Sequence, residues 1–158
     1  MKLREKLCIW LFECSKIPYA KYFKRTAAWG LNSTQLLTYP TNSLGHVIGL
    51  FLKYNGFEMI PKLERHDAYH VITGYETSVK GEIELQYFLT GNGKRSLYQL
   101  ASLTLGTLLL PEYYHSYIRA FQRGKTAYPI YTLDLLPSLH IPMRTLKEQI
   151  FPLTHSNN

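Results

Sequence analysis

The chain has 158 residues, 46% of them hydrophobic and 14% aromatic, and a formal charge of +7 from 18 Lys and Arg against 11 Asp and Glu. That length supports one domain with a real core and excludes two comfortable ones. The positive balance implies attraction to anionic surfaces, whether phospholipid headgroups, phosphorylated ligands or nucleic acid, without choosing among them.

In "MKLREKLCIWLFECSK", Leu3, Leu7, Trp10 and Cys14 recur at helical spacing between Lys and Glu residues. Residues 1–16 are therefore predicted as an amphipathic helix ending near Pro18, suited either to core packing or to lying on a membrane surface. Its uninterrupted apolar run, Leu7 to Phe12, is too short for a signal-peptide core, and no secretory signal is expected. Cys8 and Cys14 match neither a zinc ribbon nor a redox pair; they are expected as reduced thiols packed like small apolar residues in a cytosolic protein. "YAKYFKRTAAW" then sets Lys21, Lys24 and Arg25 among aromatic rings, so residues 1–37 form an N-terminal segment able to meet lipid headgroups.

"LNSTQLLTYPTNS" is read as the clearest break, and Thr41, Asn42 or Ser43 can cap a helix "LGHVIGLFLKY" that Asn55 and Gly56 end. A second helix is predicted from Pro61 to Gly74, and a third, "VKGEIELQYFL", capped by Thr77 or Ser78 and closed by Gly91, Asn92 and Gly93. A long helix should run from about Lys94 to Leu110, followed by one that starts with Pro111 and stops at Gly124. Pro129, Pro137 and Pro142 divide the tail into short helical pieces. The stretch "LYQLASLTLGTLLL" is interrupted by polar residues and falls short of the roughly 20 residues a membrane span needs. With no strand alternation, internal repeat or low-complexity tract, the predicted architecture is all-α: a compact single-domain bundle of six or seven helices.

The chemistry concentrates between Glu64 and Leu85. On a helix, His66, Asp67 and His70 project from one side within a turn. Glu82 lies twelve residues beyond His70, across a segment broken by Gly74 and Gly81, so a turn there can bring its carboxylate to the same edge. Two imidazoles and two carboxylates can hold zinc, iron, manganese, cobalt or, less well, magnesium, and ligand softness alone does not name the metal.

"HDAYH", eleven residues and then Glu82 resembles the His-Asp-x-x-His-x11-Glu signature of a ubiquinone (coenzyme Q) biosynthesis family. "PTNSLGHVIGLFL" and "AFQRGKTAYPIY…DLLPSLHIPMRTLKEQI" also follow that family's pattern, so the resemblance covers about residues 38–150. It implies an all-helical, membrane-associated fold with a divalent metal, usually zinc, on His66, Asp67, His70 and Glu82. It further implies removal of the carboxyl group at ring carbon 1 of a polyprenylated hydroxybenzoate, with oxidation of that carbon also attributed to the family. The expected partners are then a prenylated aromatic acid or isoprenoid lipid, the membrane surface, other quinone biosynthesis proteins and a second copy of the chain, with no nucleic acid. The chain looks like a compact prokaryotic member, cytoplasmic and peripheral on the inner face of the cell membrane.

Around the four expected ligands, Arg65 is a candidate partner for a substrate carboxylate or for the metal carboxylates, and Tyr69 and Tyr75 are candidate walls of a ring pocket, together with Val71, Leu85 and Phe88. Glu84 should point elsewhere, and His46 and His115 are expected away from the site. Two other readings are open. His46, His66-Asp67 and Asp134 imitate the ligand order of metal-dependent phosphohydrolases, which leaves His70 and Glu82 unused. Alternatively the chain carries an isoprenoid lipid or acts as a scaffold, its metal only joining two helices.

Overall fold

The structure, a computed structural model, describes residues 27–152 together with Leu3, Arg4, Lys6, Leu7, Trp10, Leu11, Cys14 and Pro18. Within 27–152 the chain forms seven α-helices and no strand: α1 (Ser33–Leu37), α2 (Leu44–Asn55), α3 (Glu64–Thr73), α4 (Val79–Gly91), α5 (Leu97–Leu109), α6 (Tyr114–Thr126) and α7 (Met143–Ile150). Single 3-10 turns occupy Pro111–Tyr113 and Pro137–His140. The all-α single-domain bundle is thus the fold observed, and no described helix is long and apolar enough to cross a membrane. Most of the helix predicted over residues 1–16, and all of Lys21, Lys24 and Arg25, lie outside the described residues. Where that segment is described, Leu3, Leu7 and Trp10 are exposed rather than packed in the core, and so is Cys14.

The helix starts obey capping chemistry. Ser43, Ser78 and Ser96 each turn a hydroxyl oxygen onto a backbone N–H of the first turn, of His46, Gly81 and Gln99 respectively. Three boundaries depart from the sequence reading. The supposed break at residues 31–43 contains α1, because Asn32 and Gln35 cap each other reciprocally. Helix α3 begins at Glu64 and not at Pro61, since Lys62 has a left-handed φ of 71° that a helix cannot contain. Gly124 does not stop α6 but lies inside it, buried.

That buried glycine explains how the core closes. A Cβ on Gly124 would overlap the carbonyl oxygen of Phe88 in α4, and a Cβ on Gly91 would overlap the carbonyl oxygen of Phe121 in α6. The two helices therefore touch backbone to backbone through reciprocal glycines. Phe88, Leu85, Leu89 and Ala120 then join Leu44, Ile48, Leu52, Ile72, Leu139, Leu146 and Ile150 in one apolar core. Asn92, buried just past α4, locks the crossing: its amide Nδ2 donates to the carbonyls of Gly124, Ala127 and Tyr128 at 3.1, 3.2 and 2.9 Å.

Gly124→Ala should force the helices apart and cost about 1–3 kcal/mol, the usual range for overpacking. A urea titration of the variant checks this; an unchanged midpoint would mean the crossing is looser than described.

Candidate metal centre

Two consecutive helices build the site. His66 and His70 lie one turn apart on α3, and Glu82 sits in the first turn of α4, where a carboxylate is favoured by the helix dipole. Gly81 makes that first turn possible, because any side chain there would run into the backbone of Glu76. The result is a triangle of donors. His66 Nε2 stands 3.2 Å from Glu82 Oε2, His70 Nε2 stands 3.1 Å from Glu82 Oε1, and the two Nε2 atoms are 3.2 Å apart.

With both rings neutral and Glu82 ionised, the three contacts lack the protons to satisfy them all. His70 Nδ1 lies 2.9 Å from the carbonyl oxygen of Tyr75, which fixes the proton there and leaves Nε2 of the neutral ring as a bare lone pair facing Glu82. If both rings instead carried protons on Nε2, those two N–H groups would face one another. A second proton on the His70 ring would supply its contact with Glu82, and a divalent cation held by the three residues would give each of these lone pairs a partner. The spacing agrees: ligands about 2.0–2.1 Å from an ion lie about 3.0 Å apart along an octahedral edge and about 3.4 Å apart along a tetrahedral one. The donor set thus fits a cation without selecting which.

Burial is graded across the triangle. The His70 side chain is 2% exposed, while those of His66 and Glu82 are 29% and 25% exposed, so the site opens on one side only. Burial tends to raise the Glu82 carboxyl, but the two imidazoles outweigh it and hold the group well below the usual carboxylate range. Burial likewise tends to lower His70, and the Glu82 carboxylate and Tyr75 carbonyl reverse this to a net increase. Asp67 behaves differently: burial pushes its carboxyl from 3.8 up to about 6, against the pull of His66 and His70. It feels the charges of all three cluster residues, yet its oxygens are not among the ligand atoms that lie within 4.8 Å of one another.

The surrounding candidates separate clearly. Arg65 donates from Nη2 to the carbonyls of both Tyr131 and Leu133, at 2.6 and 2.7 Å, so it anchors the segment before α7. Tyr69 lies buried beneath it, and Leu85 and Phe88 are wholly in the core, so none of these three is an open pocket wall. Tyr75 is half-buried, its ring under the Arg123 guanidinium, which also donates to Thr73 at the end of α3 and faces Phe88 and Phe151. Glu84 points away, as expected, to Ser116 and Lys80. His46 contacts the carbonyl of Leu37, Asp134 caps Leu136, and His115 is exposed. Among the described residues His66, His70 and Glu82 form the one group able to hold a metal, so the phosphohydrolase ligand order is not assembled.

Two contributors escaped the sequence reading. Phe51 stacks on His70 with ring centroids 5.9 Å apart, and Phe57 meets Phe51 edge-on at 6.1 Å. A signal existed, because Gly56 ends α2 with a left-handed φ and the N–H of Phe57 donates back to Leu52, a termination that commonly brings such a pair together. Glu64 is the other: fully inside, its carboxylate accepts from the N–H of Trp29 at 3.0 Å and ties the chain before α1 to the ligand helix.

The fold has a known counterpart. It is similar to the crystal structure of a protein from Nostoc punctiforme described as a "putative ubiquinone biosynthesis protein", with a TM-score of 0.64 and 19% sequence identity over 95% of this chain and 82% of that one. No protein-family profile and no curated protein matches the chain. At 19% identity the likeness establishes the shared helical architecture.

Because folding raises the Asp67 pKa, the folded state holds that proton more tightly than the unfolded chain, and the benefit is lost as pH rises from below 3.8 through about 6. In metal-free protein, Asp67→Asn should match wild type near pH 4 and exceed its stability by about 1–2 kcal/mol near pH 7, after allowance for partial solvent screening. Urea titrations at both values test this, and a constant difference between them would remove the assigned cause.

Proposed function

We propose that this is a metal-dependent protein of ubiquinone biosynthesis that removes the carboxyl group from ring carbon 1 of a polyprenylated hydroxybenzoate. The single observation that carries the reading is the convergence of His66, His70 and Glu82 from two helices into a triangle of donor atoms at the spacing a divalent cation's ligands require. Two things add support: the fold shared with the Nostoc protein, and the spacing of His66, Asp67, His70 and Glu82 in the sequence.

In this reading the ion is zinc or another divalent metal, held by those four residues. Asp67 is the fourth, since a cation beside it would offset the cost of ionising a buried carboxyl. When bound, such an ion supplies Lewis-acid charge for a substrate carboxylate or phenol oxygen. The protein's own groups do the positioning. Tyr75 holds the His70 ring in the ligating tautomer, and Phe51 fixes the plane of that ring from the other side. The exposed sides of His66 and Glu82 leave an approach for the aromatic acid, and Phe57, 43% exposed next to Phe51, continues the apolar surface from the site. Loss of carbon dioxide leaves the electron pair of the broken bond on the ring carbon, where a proton takes its place. In this reading Arg65 serves as an anchor through Nη2 to Tyr131 and Leu133.

His70→Ala should strip the metal with helical content kept, as read by elemental analysis and circular dichroism; full occupancy in that variant would overturn the site. Glu82→Ala should abolish decarboxylation of a prenylated hydroxybenzoate while weakening its binding far less, because burial of the tail contributes about 0.8 kcal/mol per CH₂ without any metal. Mass spectrometry distinguishes retained from lost carboxyl. Wild-type protein that binds the acid and never decarboxylates it would leave the carrier or scaffold role in place of catalysis.

A further inference from the structure

Helix α5 is amphipathic the wrong way round for a surface helix. Its buried residues are Gln99, Ser102 and Gly106, while Leu97 is 87%, Leu100 61% and Leu108 73% exposed, with Ala101, Thr104 and Leu105 on the same exposed arc. Ordinary surface helices turn leucines to the core and polar groups to water. The orientation is not incidental, because polar contacts with α4 fix it. Gln99 Nε2 donates to the carbonyl of Gln86 at 3.1 Å and to the Thr90 hydroxyl at 2.8 Å, and the hydroxyls of Tyr87 and Thr107 pair at 2.7 Å. Gly106 lets the helix settle on Ile83, whose side chain any Cβ there would strike. Rotating the leucines inward would break each of these contacts. On the outer face the lone polar side chain, Thr104, turns its hydroxyl back to the carbonyl of Leu100 at 2.9 Å.

We propose that this leucine face of α5 is a docking surface for an anionic lipid bilayer, in whose headgroup–acyl boundary the helix lies flat. Charge selects that occupant. No acidic residue occurs between Glu84 and Glu112, Lys94 and Arg95 precede the first leucine, and Glu112 at the far end is paired with Arg4 at 3.0 Å. The face thus offers apolar side chains with cationic groups at one end and an already neutralised acid at the other, the combination that suits anionic headgroups over an apolar interior. A second copy of the chain fits less well. One helix of this length presents a footprint of about 10 by 20 Å, well under the roughly 800 Å² that each partner gives to a stable dimer, and two copies of a chain of charge +7 repel. The inference rests on α5 and not on the metal reading, which can fail without affecting it.

Flotation of the full chain with vesicles of phosphatidylcholine containing phosphatidylglycerol, against phosphatidylcholine alone, tests it beside the double variant Leu100→Glu and Leu108→Glu. Since both leucines are exposed, the variant should keep wild-type circular dichroism and melting temperature. Wild type should float with the anionic vesicles, less so in high salt, and the variant should lose about tenfold or more of that partition. Equal flotation of the variant would overturn the proposal by showing that another segment carries the binding. Equal flotation of wild type with neutral vesicles would overturn the role of charge. Wild type that ignores vesicles but forms a dimer by light scattering, lost in the variant, would replace the bilayer with a second copy.

Discussion

The contact on which the rest of the structure depends is the crossing of α4 and α6, where two glycines let backbone meet backbone. It seats α4, and with α4 the carboxylate of Glu82, which stands in its first turn. The same crossing places Arg123, the neighbour of Gly124, against the end of α3 and over the ring of Tyr75. Tyr75 in turn sets the tautomer of His70. Each side of the donor triangle is therefore referenced to one close approach between helices, and an error of half an ångström at Gly124 would reach the site along two routes. Interiors packed at crystal-like density transmit such shifts and do not absorb them.

Around that frame most polar groups near the site are spent on structure. Arg65, Arg123 and Asn92 hold backbone carbonyls, and Glu64 holds a backbone N–H. The His66, His70 and Glu82 atoms are different, gathered at 3.1–3.2 Å around one another and not around the backbone. Buried or half-buried polar groups cost free energy unless something satisfies them. A natural sequence that gathers titratable donors at the open end of the bundle places them where a ligand can reach them.

Much of the fold was legible in the sequence, because period and punctuation agree over the longer helices: Gly56 and Gly74 stop helices with left-handed φ, and capping serines start three. The failures have physical reasons. A glycine used for close packing has the same letter as one used to end a helix, so the sequence alone does not place Gly124 inside α6; a one-turn helix such as α1 leaves almost no periodicity, only the pair Asn32 and Gln35. In the site, the spacing of His66, His70 and Glu82 was enough to bring them together on paper. The assignment of Leu85, Phe88 and Tyr69 as pocket walls failed because nothing local to a helix says which of its apolar faces meets the core. The contact of Phe51 with His70 links separate helices and depends on the crossing geometry, which a linear pattern does not encode.

The segment from Ala127 to Leu133 is held through its main chain as well as by Ala127 and Ile130, which are buried in the core, and by Tyr131 and Leu133, which pack against it. Asn92 binds the carbonyls of Ala127 and Tyr128 and Arg65 those of Tyr131 and Leu133, so these anchors read the path of the chain and are indifferent to several of the side chains along it. Evolutionary freedom is thereby divided unevenly. Exposed positions such as Tyr128, Pro129 and Thr132 can drift in identity at little consequence for the ligand helix, whereas inserting or deleting a single residue would shift every carbonyl out of register with its anchor. In this stretch length is constrained together with the core-facing side chains, and composition is free only at the exposed positions.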